Sequence, residues 1–312
     1  MRKNPILSIC IPTYNRGIIL KDIIDKYVSC EEFDDEVELV ISDNCSTDDT
    51  EAICREYSSK YSNVIYSRNK ENIRDANFVK VLDIANGTYL KLFNDWVYCT
   101  NESIRFLKER VKENMYNKPP LFFTSGHVFT NYKAEVIKGE GLDDYVGIVS
   151  TFVTYNNLFG VWKEQWYEVK EKRRYAALQL QQEDWSYQIV SNHSSFIIYD
   201  TPLFSVSPVP LGKRGGYNWF NVHLDNYYTI MGDYIRKEQI SSSVYRQDRK
   251  NYLKHFKYEL GLALFYNYSR EWRFETKGTY RLLWKYFKGD SFFYSFLLYV
   301  FPYYVYRWLR QL

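Results

Sequence analysis

ELVISDNCSTDDT, residues Glu38 to Thr50, carries the sharpest change of pattern in the chain. It opens on Leu39, Val40 and Ile41 and then breaks into the polar cluster Ser42 to Asp49. A short apolar run ended by polar residues reads as a buried strand running into a loop. Ser46 or Thr47 can cap the helix that follows, and Asp48 and Asp49 in its first turn suit the positive end of the helix dipole. Asp43 then stands at the carboxyl end of a buried strand, where open α/β sheets bind ligands. The same residues also describe a capped strand-to-helix turn with no ligand, so function must be read from the rest of the chain.

Upstream, Pro5 to Thr13 reads as a first strand, with Leu7, Ile9 and Ile11 alternating, and PTYNRG as the turn after it. Leu20, Ile23, Ile24 and Tyr27 mark one face of a helix. After the second strand, Val37 to Ser42, a helix is expected to about Lys60, a third strand over Asn63 to Arg68, a helix over Asn77 to Ala85 stopped by Asn86-Gly87, and a strand over Thr88 to Phe93. Such alternation means a mostly parallel sheet wrapped by helices. A helix over Ser103 to Glu113, a strand over Leu121 to Thr124, a helix over Gln179 to Ser191 and a strand over Ser195 to Tyr199 follow. Tyr132 to Tyr155 has no clear pattern. Pro202 to Gly216 reads as a long loop, and beyond Tyr217 the pattern is helical.

The 312 residues suffice for one large domain or two smaller ones, and 46% apolar residues suffice for a core. Aromatics reach 19%, with 31 Tyr, which points to carbohydrate stacking, a membrane interface or aromatic-rich packing. The five Cys show no zinc or CxxC spacing and read as reduced thiols of a cytosolic protein. The apolar run before Pro12 is too short for a signal peptide. Net charge is +3, but the stretch from Thr276 onward carries six Lys and Arg against Asp290 alone. The remainder is therefore slightly acidic, which argues against nucleic-acid binding.

Four stretches in order resemble family 2 glycosyltransferases: SICIPTYNR (Ser8–Arg16), ELVISDNCSTD (Glu38–Asp48), Asn72 through Ala85-Asn86-Gly87-Thr88-Tyr89 to Asn94-Asp95, and QQEDW (Gln181–Trp185). KRGGYNWF (Lys213–Phe220) is similar to a motif of the branch containing abequosyltransferase-like, capsule and O-antigen enzymes. The resemblance implies a GT-A (Rossmann-like) fold and an inverting transfer of sugar from a nucleotide donor, with a UDP-sugar expected and Mn²⁺ or Mg²⁺ as cofactor. It also implies a catalytic domain over 1–225, with a nucleotide-sugar half to 125 and an acceptor half from 126, followed by a helical region over 226–312.

By this resemblance Pro12, Thr13 and Tyr14 line the nucleoside site, Tyr14 by stacking or by packing. Asp43 accepts a hydrogen bond from the base, and Asn72 contacts the nucleotide with help from Asp75. The family's usual Gly two residues after Asn72 is Arg74 here. The family holds its metal on a run of carboxylates after the fourth strand, where this chain has Asn94-Asp95-Trp96; Asp95 is the candidate ligand and Asn94 its neutral neighbour. A departing diphosphate needs positive charge, and Lys213 and Arg214 are the alternative source. Asp184 matches the family's general base, and Glu183 would orient the acceptor or approach the metal. Without the upstream motifs, the Glu183-Asp184 pair is simply an acidic first turn of a helix. The four His show no metal-pair spacing. Trp162, Trp166 and Trp219 read equally as a sugar platform or as core.

Tyr280 to Trp308 holds fourteen aromatics among basic residues, and its longest apolar run, Ser291 to Tyr306, is broken by Pro302. That is too short to span a bilayer but suits an anionic membrane surface, here the inner face of the cytoplasmic membrane, where lipid-linked glycan acceptors lie. The same segment also reads as a helical cap or a homodimer interface. The competing reading of the whole chain is a non-catalytic nucleotide-sugar-binding partner at that membrane, supported by the single carboxylate of Asn94-Asp95-Trp96.

Overall fold

The computed structural model of the chain describes residues 5–129, 135–208, 216–257, 259–261 and 274–310. Its first half runs β1 (Leu7–Thr13), α1 (Gly17–Val28), β2 (Val37–Asp43), α2 (Thr50–Lys60), β3 (Val64–Arg68), α3 (Ala76–Ile84), β4 (Tyr89–Leu92), β5 (Val97–Cys99) and α4 (Asn101–Asn114). Every residue of β1 and β2 is buried, because alternate side chains enter two different cores. Leu7, Ile9, Ile11, Leu39 and Ile41 join Leu20 and Ile23 of α1 and Leu107 of α4. Cys10 and Val40 join Val79 and Leu82 of α3 on the opposite face. Burial on both faces explains why these strands read as continuous apolar runs.

The α2 cap differs from expectation. The helix begins at Thr50, and neither Ser46 nor Thr47 caps it. Ser46 Oγ accepts from the backbone N–H of Asn15 and the Thr47 N–H donates to Asn15 Oδ1. Both therefore tie the loop after β2 to the turn after β1. Asp48 takes the helix end instead, accepting from the Thr50 N–H at 3.1 Å.

The second half runs β6 (Leu121–Phe123), β7 (Val136–Gly139), α5 (Gly141–Val149), two 3₁₀ turns (Ser150–Thr154 and Asn156–Leu158), β8 (Gly160–Trp162), α6 (Lys163–Glu168), α7 (Gln181–Ser191), β9 (Phe196–Tyr199), β10 (Phe204–Val206), a π-type turn (Asn221–Asn226), α8 (Tyr227–Arg236), α9 (Ser242–His255), α10 (Thr279–Phe287) and α11 (Ser291–Leu309). The main sheet has the order β3-β2-β1-β4-β8, parallel except for β8 on the edge. β6, β9 and β7 form a second sheet, and β5 pairs with β10. β10 lies inside the stretch read as loop, since a three-residue strand is specified by its distant partner rather than by local pattern.

Register places Thr13 beside Asp43 and Cys10 beside Leu92, so the carboxyl ends of β1, β2 and β4 open together. The other end is locked. Gly87 N–H donates to Ser8 Oγ at 2.7 Å, and that hydroxyl donates to buried Glu38 at 2.6 Å. A Cβ on residue 87 would stand 2.4 Å from Ser8 Oγ, so glycine is required there by close approach.

A single apolar core crosses position 225. It contains Phe122, Tyr145 and Val149 together with Phe220, Ile230, Tyr252, Leu283, Phe287 and Phe293. Ion pairs Arg249–Asp290 at 2.8 Å and Lys285–Asp225 at 2.6 Å hold α10 and the start of α11 against the helices before them.

Candidate active site

A cleft of about 730 Å³ opens where β1, β2 and β4 end. This is the crevice outside the carboxyl ends of parallel strands, beside the point where strand order reverses. From the first half it is lined by Pro12, Thr13, Tyr14, Asn44, Asn72, Asp75, Asn77, Asn94, Asp95 and Trp96, with Arg16 and Arg74 as its cations. The opposite wall is Thr154 to Asn157, Gln179, Tyr217, Trp219 and His223.

The first wall is an asparagine network. Asn44 Nδ2 donates to Asn72 Oδ1 at 2.8 Å and to the Arg74 carbonyl at 3.1 Å. Asn69 donates to both Asn44 and Asn77, and Asn77 exchanges hydrogen bonds with Ser42. The buried amides of Asn44, Asn69 and Asn77, linked this fully, hold one geometry. Arg74, standing where the resemblance expects Gly, has φ +51°, the left-handed region that glycine enters freely.

Asp95 is buried at the end of β4. Thr13 Oγ1 donates to its Oδ2 at 2.9 Å, and Arg16 Nε stands 3.8 Å from Oδ1. Burial pushes its carboxyl up to about 6, with Arg16 and Thr13 pulling the other way. The loop bearing it is pinned to the opposite wall, because the Asn94 N–H donates to Asn157 Oδ1 at 2.8 Å. Buried Lys91 fixes that wall by donating to the carbonyls of Asn157 and Phe159. Half-buried Asp75 is held above its ordinary 3.8 by burial, against the opposing effects of Gln179 and Arg74. His223 stacks on Trp219 with centroids 4.4 Å apart and contacts Thr154 Oγ1; burial lowers its pKa to about 3, so the ring is neutral.

Of the residues singled out from sequence, Pro12, Thr13, Tyr14, Asn72, Asp75, Asn94 and Asp95 meet in this cleft. Lys213 and Arg214 lie outside the described residues. Asp43, Glu183 and Asp184 are not in the lining. Asp43 is fully buried, accepting from Tyr66 Oη at 2.7 Å and from the Ser46 N–H at 2.9 Å. Its carboxylate therefore shapes the loop after β2. Asp184 is equally buried, ion-paired to Arg174 and accepting from Tyr234 Oη at 2.7 Å and Gln188 at 2.8 Å. Glu183 faces the interior near Asp248, with burial raising its pKa well above the ordinary value. The first turn of α7 serves the cleft through other residues: Gln181 donates to the Asp75 carbonyl and Gln182 to that of Thr154. Of Asp43, Asp95 and Asp184, Asp95 lines the cleft. Trp162 and Trp166 are core, and only Trp219 reaches the cleft.

A protein-held Mn²⁺ or Mg²⁺ needs several oxygen ligands. Asp95 supplies one carboxylate, already bonded to Thr13 and faced by Arg16. Among the described residues no three His, Cys, Asp or Glu side chains gather as a metal set. Among the described residues the donor set does not fit the expected ion. Arg16 and the Asn156-Asn157 pair also line the cleft; Arg16 ends the SICIPTYNR motif, whereas Asn156-Asn157 adjoins a stretch with no clear pattern.

The Glycosyl transferase family 2 model matches residues 8–196. Abequosyltransferase RfbV of Salmonella typhimurium is 35% identical over 105 residues, 33% of this chain and 32% of that protein. The chain thus spans about a third of the length of this curated relative. S. aureus TarS superimposes with a TM-score of 0.57 at 15% identity, over 83% of this chain and 45% of that one; its 1-349 fragment in complex with UDP-GlcNAc gives 0.56 at 14%, over 83% and 75%. The mannosyltransferase PcManGT from Pyrobaculum calidifontis, in complex with GDP-Man and Mn²⁺, gives 0.53 at 14%, over 75% and 65%.

Proposed function

Because the chain belongs to the family 2 glycosyltransferases, we propose that its cleft binds a nucleotide-sugar, a UDP-sugar first among candidates, and passes the sugar with inversion to a glycan hydroxyl. The observation that carries this reading is the asparagine-lined cleft at the joined ends of β1, β2 and β4, facing a second wall of Tyr155, Tyr217 and Trp219. One wall offers amides to a base and ribose, and the other offers aromatic faces to a sugar.

In the transfer, the acceptor oxygen bonds to the anomeric carbon as the bond from that carbon to the diphosphate breaks. The diphosphate leaves with the electron pair, and the hydroxyl proton needs a base. Asp184 would have to abandon Arg174, Gln188 and Tyr234 to reach it. Asp75 lines the cleft, stands outside the ion pairs of the described residues, and has its pKa raised by burial. We therefore place Asp75 as the proton acceptor and Asp184 as a strut beneath the site.

The test of the donor reading is melting of the full chain against a panel of UDP-, GDP- and CDP-sugars, with and without Mn²⁺. One donor at a hundred times its Kd should stabilise by about 2.7 kcal/mol, roughly 4 °C for a chain of this size. A flat response to the whole panel would remove the donor reading.

The acceptor we propose is a lipid-linked glycan of the O-antigen or capsule type, met at the inner face of the cytoplasmic membrane. Similarity to an abequosyltransferase supports the class of polysaccharide. The exposed apolar side chains Tyr280, Trp284, Leu298, Val305 and Tyr306, beside exposed Lys277, Arg281, Lys285 and Lys288, support the surface. Among the described residues no helix is long and apolar enough to cross a membrane. Leu298 and Val305, seven residues apart on α11, share a face. The pair Leu298→Glu and Val305→Glu should weaken binding to phosphatidylglycerol vesicles at least tenfold, at about 1.5–3 kcal/mol per apolar side chain, with melting unchanged. Unchanged vesicle binding would assign that face elsewhere.

A further inference from the structure

We propose that Arg16 is the cation that receives the donor's diphosphate, in the place where a divalent metal would otherwise be needed. The inference rests on the donor reading above. Arg16 closes the turn after β1, and its backbone N–H is held by Thr50 Oγ1 at 3.2 Å. Its guanidinium lies between Asp95, at 3.8 Å, and the Trp96 ring, whose centroid is 6.0 Å from Cζ. The side chain is 17% exposed, lines the cleft, and its Nη1 is buried with no hydrogen-bond partner.

A guanidinium has five N–H donors in a planar fork that matches phosphate oxygens two at a time. Here the fork is only partly used. Buried donors are normally satisfied, so an unspent one beside a polar cleft marks where an acceptor is missing.

The charge balance points the same way. Two carboxylates at the end of β4 would leave a doubly negative floor that repels a diphosphate until a divalent cation neutralises it. This chain has one carboxylate, and Arg16 already balances it. The floor is neutral before the donor arrives, and the guanidinium can turn its free edge to the phosphates while keeping Asp95 in reach. Of the described lining residues, the other full cation is Arg74, exposed on the rim beside the asparagine network.

Calorimetric titration of the full chain with UDP, GDP, CDP and the parent nucleosides, in EDTA and in Mn²⁺, tests the assignment. One nucleoside diphosphate should bind in EDTA within about threefold of its affinity in Mn²⁺. Arg16→Met should weaken that binding tenfold or more in both conditions, the scale of a lost charge-assisted hydrogen bond, and leave the parent nucleoside's affinity unchanged. Arg16→Lys, which keeps the charge and loses the fork, should fall between. Retained nucleoside binding shows that the variant cleft is folded; if Arg16→Met loses it too, the Lys variant carries the comparison. Diphosphate binding abolished by EDTA and restored by Mn²⁺ would overturn the proposal, as would wild-type affinity in both variants. If no nucleotide binds the wild-type chain in either buffer, the donor reading fails, and the role of Arg16 with it.

Discussion

Asp75→Asn is expected to lower sugar transfer by about a hundredfold or more, the usual worth of a positioned base, while donor binding and melting stay close to wild type. The amide keeps the shape of the side chain and its contact with Gln179 but cannot take a proton. Because burial holds the Asp75 carboxyl above 3.8, wild-type transfer should fall as pH drops through that raised value, where the acid form predominates. The variant's residual rate should lose this acid limb. A variant with normal transfer, or an acid limb that persists, would take the role away from Asp75.

Asp184→Ala is expected to act first on stability. It leaves the Arg174 guanidinium and the Tyr234 hydroxyl without their shared acceptor. Breaking a buried pair from one side costs about 3–5 kcal/mol. Arg174 keeps 28% of its side chain exposed, so about 2–3 kcal/mol is the fitting figure, or roughly 3–5 °C of melting temperature. The double variant Arg174→Met, Asp184→Leu should recover most of that loss, since an apolar pair can replace a buried ionic one. Well below its melting point, Asp184→Ala should transfer sugar within a few-fold of wild type. Unchanged melting with transfer lost would return the base to Asp184.

The two aspartates show how far the sequence could be read. The sheet was legible because β1 and β2 are buried on both faces and print that burial as unbroken apolar runs. The place of Thr13, Asn72, Asn94 and Asp95 on one cleft was legible because they stand at or after the carboxyl ends of strands, a position set by topology. Asp184 was not, because a motif fixes position along the chain and says nothing about which way a helix turns. Gln181 and Gln182 point the first turn of α7 at the cleft, and Asp184 then swings inward toward Arg174, ten residues earlier. β8 and β10 were equally hidden, being three residues each and held by strands far away. Trp162, Trp166 and Trp219 are alike in sequence, and only packing separates two core side chains from one on the cleft.

The apolar core shared between residues 122 and 293 sets the order in which the cleft can be finished. A ribosome releases the wall at the ends of β1, β2 and β4 early, since it is built from strands and helices complete by Asp95. The opposite wall, Thr154 to Asn157 with Trp219 and His223, packs on a core that closes only when Leu283, Phe287 and Phe293 arrive. A product cut short by a late stop codon would carry a formed first half and an uncovered aromatic core, a substrate for proteases.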